Sequence, residues 1–421
     1  MPQSSSTWDV IIVGSGPAGA TLARELSRGG RRVLLLEAGR SVRPYSPLFD
    51  MLRSARIRHL GAGTTLVRGQ AVGGTSLLYY ATANEPPIDR FQALGIDLSE
   101  AWNRLCDLVP LAPLRDDLIG PMALAIRDSA LKIGHDWQKL PKFIDQSRIA
   151  TGRIAEVMKH KWLAADFCRE ACGQDAHGCE LVTGVRASRI LTGGGRVRGV
   201  EYKRKGSRRE AFAPVVVLAA GGLGSAPLLQ PLLGEKLSSQ FFCDPVIVVS
   251  SERVDLDSLE EPPMIYGCRL EEDGLLLADL KLPRALFIAG ALQALRPARI
   301  FSHRRALSLM VKAADGLGGT LTRGVHKTFS RTDLETLAKG VGIAEEILAG
   351  GGAKNIFASR ITSAHPGGAI AIGEQLDSNL ETSIGGLFVC DASVLPAPWG
   401  LPPTTSLMCL ALRLGRHLLG D

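Results

Sequence analysis

The first apolar run of the chain, Val10-Ile11-Ile12-Val13, is short, β-branched and bounded by glycine, which predicts a strand buried on both faces. A helix over Ala18–Ser27 ends at Gly29-Gly30, and Arg32-Val33-Leu34-Leu35-Leu36 predicts a second strand that stops at Glu37. A further fully apolar strand, PVVVLAA, is predicted over Pro214–Ala220, running straight into the turn GGLGSAPLLQ. Helical periodicity marks Asp89–Leu114, Ile119–Gly134 and Ala155–Ala171, and also Asp333–Ala349, capped by Asp333 or Thr332 and stopped by three glycines. CELVTGVRASRIL and RVRGVEYKRK read as alternating strands, as do PVIVVSSERV and GLLLADLKL within Val246–Leu280. A largely helical stretch is predicted from there through Ala314. Gly386–Cys390 predicts a short buried strand ending at Asp391, and a helix begins at Pro403 with proline in its first turn.

Between the first strand and helix lies GSGPAG. Gly14 permits a tight turn, Gly16 lets the backbone approach a pyrophosphate, and Gly19 lets the helix pack closely on the sheet. The helix that starts at Pro17 offers free N–H groups from Ala18 onward, and a positive dipole end, to phosphates. Glu37, with Ala38 behind it, lies eighteen residues beyond Gly19, where an acid can accept hydrogen bonds from ribose hydroxyls. Asp9 to Glu37 therefore reads as one dinucleotide-holding unit, without deciding between FAD and NAD. The later GGLGS turn lacks both the GxGxxG spacing and a downstream acid, so a second nucleotide fold for NAD(P)H is not expected. RGQAVGGTSLLYY, Arg68–Tyr80, reads equally as a plain turn or as a second glycine concavity that can approach a flat polar ring or a phosphate.

At 421 residues, two intimately joined domains are expected. The net charge of +7 is modest, and its densest stretch, KRKGSRR at Lys203–Arg209, surrounds a Gly-Ser turn between strands. A solvated hairpin tip is the expectation there, and no nucleic-acid partner. The N-terminus has no cationic region followed by an apolar signal core, so a cytoplasmic location is expected. Two uncharged stretches, Ala211–Gly234 and Ala392–Leu412, approach membrane-span length but are broken by glycine and proline, leaving only a peripheral membrane contact open. The eight cysteines show no secreted framework. Cys168, Cys172 and Cys179, with His177 nearby, form the one cluster, and small buried side chains are expected there rather than a metal site.

Assembled in order, the N-terminal unit, the GGTS turn, AAGGLGSAPLL, the HPGG of SAHPGGAIAIG and the DASVLP-to-helix C-terminus resemble the glucose–methanol–choline (GMC) oxidoreductases, FAD enzymes that oxidise alcohols. The match covers the cofactor side well and the substrate side poorly. It implies an α/β fold: a Rossmann-like FAD-binding domain built from residues 1–88, 150–235 and 365–421, interleaved with an α+β substrate domain of antiparallel sheet and helices from 89–149 and 236–364. By the resemblance Gly14, Gly16, Gly19 and Glu37 hold the ADP half of FAD, with Pro17, Ala18, Ala38 and Val185 also binding the cofactor. Gly69, Gly73, Gly74, Thr75 and Ser76 lie near the flavin, Ala220 and Gly221 complete the cofactor wall, and Asp391 and Ala392 lie by the ribityl chain and pyrophosphate. Pro403, Thr404, Thr405 and Ser406 begin a helix whose positive end faces the flavin pyrimidine, where it would stabilise a reduced flavin's charge. His365 matches the family base, which removes the substrate hydroxyl proton while hydride leaves for flavin N5; a histidine's ordinary pKa suits that task.

Three departures shape the expected chemistry. Pro402 stands where the family places asparagine or histidine to hydrogen-bond the substrate oxygen, Tyr79 replaces the asparagine or histidine after the GGTS turn, and Gln70 replaces a basic residue. A hydroxyl contact is then expected from Thr404, Thr405, Ser406 or Tyr79. The leading expectation is oxidation of a hydroxyl on a fairly apolar small molecule, with the electron acceptor (oxygen, a quinone or a carrier protein) unassigned. Two alternatives are a flavoenzyme doing desaturation, cyclisation or photodecarboxylation, and a flavin-fold binding protein without turnover. No histidine stands just before the GGTS turn, so the FAD is expected to be non-covalent.

Overall fold

The computed structural model describes residues 8–42, 54–61, 63–173, 178–258, 260–321 and 324–420. His177, paired with the cysteine cluster in the sequence reading, lies outside the described residues.

The apolar runs assemble into a five-stranded parallel sheet in the order Leu387–Val389, Val215–Leu218, Val10–Val13, Val33–Glu37, Cys179–Thr183. Val10–Val13 sits at the centre and is buried along its whole length, as strands in a two-sided parallel sheet are. Helix Pro17–Arg28 packs against the C-terminal helix Thr404–Leu419 and against Ala164–Ala171. Beyond Thr183 the chain enters a three-stranded antiparallel sheet, Val185–Gly193, Arg196–Arg204 and Ser207–Phe212. Its second turn, Lys205-Gly206 with φ of +49° and +84°, is the solvated tip expected from KRKGSRR.

The second large element is a nine-stranded, mostly antiparallel sheet. Its order is Ala55–His59, Thr65–Gly69, Thr362–Ser363, Pro245–Glu252, Ala306–Ala313, Leu275–Asp279, Tyr266–Leu270 and Gln138–Lys139, with Lys354–Ala358 also on Pro245–Glu252. It thus takes strands from both segments expected to form separate domains. Helix Arg331–Gly350 covers one face, and Gly340 allows the approach, since a Cβ there would meet Val311 Cγ1 at 2.5 Å. On Ala306–Ala313 the alternation of a strand puts Leu307, Leu309 and Val311 toward that helix and Ser308, Met310 and Lys312 toward the other face. That other face carries a separate apolar cluster of Met264, Leu276, Ala278, Leu280 and Met310, packed by Tyr80, Val246, Val248 and Leu282 among others.

Local expectations fail in four places. Asp89–Leu114 is not one helix: Ile88–Gln92 and Ser99–Leu108 flank Gly95 at φ +75°, and Leu111–Pro113 pairs as a strand with Pro141–Phe143. Ala155–Ala171 is broken at Lys161, Trp162 and Leu163. Ala306–Ala313 is a strand, not helix, because it pairs with a neighbouring strand along each edge, which overrides helix-favouring Ala, Leu, Met and Lys. The long helix starts earlier than predicted: Ser330 Oγ accepts from Asp333 N at 3.0 Å while the Asp333 carboxylate accepts from Ser330 N at 2.7 Å, a capping box. Among the described residues no helix is long and apolar enough to cross a membrane. The two uncharged stretches are strands, turns and helices, with Thr404–Leu412 among the most buried parts of the chain.

Candidate active site

The segment around His365 is threaded between two other backbones. Gly367 N donates to Phe242 O at 3.0 Å, Gly368 N to Ala392 O at 3.0 Å and Ile370 N to Ser393 O at 2.9 Å. Glycine is what makes these approaches close: a Cβ at Gly222 would stand 1.7 Å from Pro366 O, and one at Gly367 would stand 2.2 Å from Ala392 O. The GGLGS turn and the DASV segment, far apart in sequence, thereby hold HPGG between them. Asp391 ties the same pieces from below, accepting from Gly221 N at 2.9 Å, from Ser225 Oγ, and from Ser393 N and Oγ at 2.8 and 2.6 Å.

His365 sits in the left-handed region at φ +51°, a conformation that costs a non-glycine residue about 1 kcal/mol and that clusters at functional sites. Its Nδ1 lies 3.1 Å from Oδ2 of Asp244, which is itself fully buried at φ +41°. The carboxylate accepts the Nδ1–H and so fixes the tautomer with Nε2 bare. Asp244 is a hub: Oδ1 also accepts from Gly400 N at 2.9 Å, and Oδ2 is 3.5 Å from Nζ of the buried Lys312. Its backbone N–H donates to Asp315 at 2.7 Å, and Asp315 pairs with Lys327 at 2.6 Å. Burial above all, and then the Lys312 charge, pull the His365 pKa below the ordinary imidazole value, with Asp244 opposing them. The ring is therefore neutral, and competent as a base, at neutral pH.

Through Gly400, Asp244 also positions the approach to the C-terminal helix. That helix starts at Thr404 behind Pro403, with no side chain capping its first turn. Thr404, Thr405 and Ser406 are all buried, and Thr405 Oγ1 and Ser406 Oγ make no hydrogen bond. A buried, uncapped helix start with two orphan hydroxyls fits a polar ring seated against it. Tyr79, the fourth candidate for a hydroxyl contact, donates its OH to Trp162 O at 2.6 Å. Lys161 holds the same loop, donating to Leu77 O at 2.9 Å and Tyr79 O at 3.0 Å, and burial pushes its pKa down to about 7.

At the other end, the glycines divide by task. A Cβ on Gly14 would meet Ala219 O at 2.2 Å and one on Gly19 would meet Gly14 O at 2.0 Å, so both serve packing, whereas the Cβ position of Gly16 has nothing within 4 Å. Gly221, at φ +81°, is open in the same way, with Ala220 before it. Helix Pro17–Arg28 has no side-chain cap and no acid in its first turn, leaving its N–H groups to a phosphate. The GGTS turn folds against this one: a Cβ on Gly74 would be 3.0 Å from Gly16 Cα, and Gly73 N donates to Ser15 O at 3.2 Å. Thr75 Oγ1 accepts from Gly69 N at 3.2 Å and Ser76 Oγ donates to Gly73 O at 2.6 Å, which fix the turn's shape. Glu37 is anchored by Ser15 N and Oγ at 3.0 and 2.7 Å and by Gly39 N at 2.6 Å. Ala38 is exposed beside it, and Val185 starts the strand that follows the sheet's edge. These features fit a dinucleotide along the turn.

Asp244 and Lys312 were invisible as site residues in the sequence. Their one signal is a solitary charge inside an otherwise apolar strand-forming run, FFCDPVIVV and ALSLMVKAA. Of the cysteine cluster, Cys168 is buried as expected, but Cys172 is exposed and Cys179 half-buried, with their Sγ atoms 3.1 Å apart.

A family model described as FAD binding domain matches residues 7–47. A GMC-type oxidoreductase of Mycobacterium tuberculosis is 29% identical over 55% of this chain and 41% of its own length, so the chain spans about two fifths of that relative. A long-chain-alcohol oxidase of Arabidopsis thaliana is 22% identical over 97% of this chain and 68% of its own. Pyridoxine 4-oxidase from Mesorbium loti superposes with a TM-score of 0.75 at 18% identity, covering 98% of this chain and 99% of that one, which establishes the shared fold. By its dinucleotide unit, its fold and its relatives, this chain is similar to the FAD-dependent oxidoreductases of the GMC type.

Proposed function

We propose that the protein oxidises a hydroxyl group on a fairly apolar small molecule, with His365 as the base. The observation that carries this reading is the pair His365–Asp244 beside an uncapped, buried helix start. Bound FAD supplies an acceptor for the hydride leaving the substrate carbon. Asp244 holds the imidazole so that bare Nε2 can take the hydroxyl proton, and stabilises the imidazolium that results. The His365 side chain keeps 28% of its surface exposed, enough for a substrate oxygen to reach the ring. With Pro402 unable to donate and the Tyr79 hydroxyl engaged, Thr404, Thr405 and Ser406 are the hydroxyls left to meet the substrate oxygen or the flavin edge. The apolar cluster of Met264, Leu276, Ala278, Leu280 and Met310 lies on the same sheet face as Lys312, the partner of Asp244, and gives the substrate an apolar wall.

The experiment is anaerobic mixing of the flavin-loaded protein with a panel of alcohols, apolar ones included, while following the oxidised flavin band. Bleaching by an alcohol, lost in His365→Ala with flavin retained, is expected. An unchanged reduction rate in His365→Ala would show that another group takes the proton. Conversion of a substrate without net bleaching would instead favour photodecarboxylation or a redox-neutral cyclisation on the same fold.

A further inference from the structure

Helix Arg284–Gln293 is apolar on every side, a composition that belongs in a core or a bilayer, yet it lies on the surface. Phe287 and Ala291 face the protein, while Leu286 and Leu292 are 55% and 52% exposed. The chain beyond it continues the patch: Leu295 and Phe301 are 86% and 83% exposed, the most exposed large apolar side chains among the described residues. Exposed apolar groups gathered in one short segment mark an interaction surface rather than ordinary surface scatter.

Charge decides what covers it. From Leu280 to Ala314 the sequence has seven lysines and arginines and no aspartate or glutamate. Arg299 and Arg304 are paired with Glu252 and Asp257 at 2.7 and 2.6 Å. Arg284, Arg296 and Arg305 are exposed and make no ion pair among the described residues. Apolar tips rimmed by unpaired arginines match an anionic lipid surface, where leucine and phenylalanine enter the acyl boundary and guanidinium groups meet phosphates. The patch is also continuous with the apolar wall described above. Leu280 and Leu282 belong to that cluster and lead directly into the helix, and His303 Nε2 is bonded to Leu282 O at 2.8 Å.

We propose that residues 284–305 dock the protein on the surface of an anionic bilayer, on the side where the chain leads into its apolar cluster. A substrate dissolved in the lipid could then pass to the site without crossing water. This goes beyond the proposed alcohol oxidation and does not depend on it, because the test is read without substrate.

The flavin-loaded full chain is sedimented with vesicles of phosphatidylcholine alone and of three parts phosphatidylcholine to one part phosphatidylglycerol. Binding to the second and not the first is expected, weakening as salt rises. Leu295→Asp with Phe301→Asp is expected to weaken it at least about tenfold. Arg296→Glu with Arg305→Glu is expected to weaken it by about fivefold for each arginine lost. Flavin absorbance and melting temperature, unchanged in both double variants, show that the fold is kept at these exposed positions. Failure of the wild type to sediment with anionic vesicles at low salt overturns the proposal. So does equal binding by Leu295→Asp/Phe301→Asp, or a purified dimer that this pair of changes splits into monomers, which would make the patch an interface between copies.

Discussion

Replacing Asp244 by asparagine tests the site at its hub. The carboxylate is 3.1 Å from His365 Nδ1, and at an effective dielectric of about 20 the attraction between it and an imidazolium formed there is about 5 kcal/mol, nearly four decades of rate. An amide keeps some of that as a hydrogen bond. It can also donate to Nδ1, which moves the ring proton to Nε2 and removes the base. A fall in kcat of about a hundredfold to ten-thousandfold is therefore expected, the range that base catalysis contributes. The amide oxygen can still accept from Gly400, so the helix approach should hold. The buried Lys312 loses its counter-charge, which costs about 3 kcal/mol of stability unless it sheds its proton. The double variant Asp244→Asn/Lys312→Met separates these effects: melting should recover and the rate should not. Single-turnover flavin reduction under anaerobic conditions is the assay, using the alcohol that the panel identifies. A kcat for Asp244→Asn within a few-fold of wild type, flavin bound, would refute the orienting role.

Lys312→Met alone removes a charge that keeps His365 unprotonated, so the histidine's pKa should rise; the acid limb of the kcat/KM profile, which falls as pH drops through that pKa, should move to higher pH. A limb that stays in place would mean another group titrates there. Gly16→Ala should leave melting of the flavin-free protein unchanged, since its Cβ meets nothing within 4 Å, while weakening FAD binding at least about tenfold, as measured by flavin fluorescence titration. Gly222→Ala, with its Cβ 1.7 Å from Pro366 O, should instead lower stability by about 3 kcal/mol and lose flavin with the fold. Cys172 and Cys179, with Sγ atoms 3.1 Å apart and the Cys172 thiol pKa lowered by its hydrogen bond with Cys179, should join as a disulfide under mild oxidant. The mass of the intact chain would fall by two hydrogens, and Cys172→Ser would abolish the change.

What was legible in the sequence is what local chemistry specifies. The turn at Gly14–Gly19, the acid at Glu37 and the strand before Asp391 are each written within a few neighbouring residues, and each stands where expected. His365 was legible only through the resemblance, because HPGG alone is a turn. Asp244 could not be found, since its role depends on a partner 121 residues away and on a lysine supplied by another strand. Ala306–Ala313 looks helical in sequence for the same kind of reason: composition favours one state, while the neighbouring strands Pro245–Glu252 and Leu275–Asp279 impose the other.

The strand order of the parallel sheet carries a consequence for how the chain folds. Val10–Val13 leaves the ribosome first, yet one neighbour, Val215–Leu218, follows some two hundred residues later, and that strand's own outer neighbour, Leu387–Val389, comes near the end. The phosphate turn thus waits, with the hydrogen bond from Ala219 N to Val13 O unmade, through about half of synthesis. Such distant pairings close slowly and leave apolar edges open meanwhile. An N-terminal fragment carrying the whole fingerprint should therefore hold no flavin, and the cofactor-binding unit is complete only when the last strand and helix have arrived.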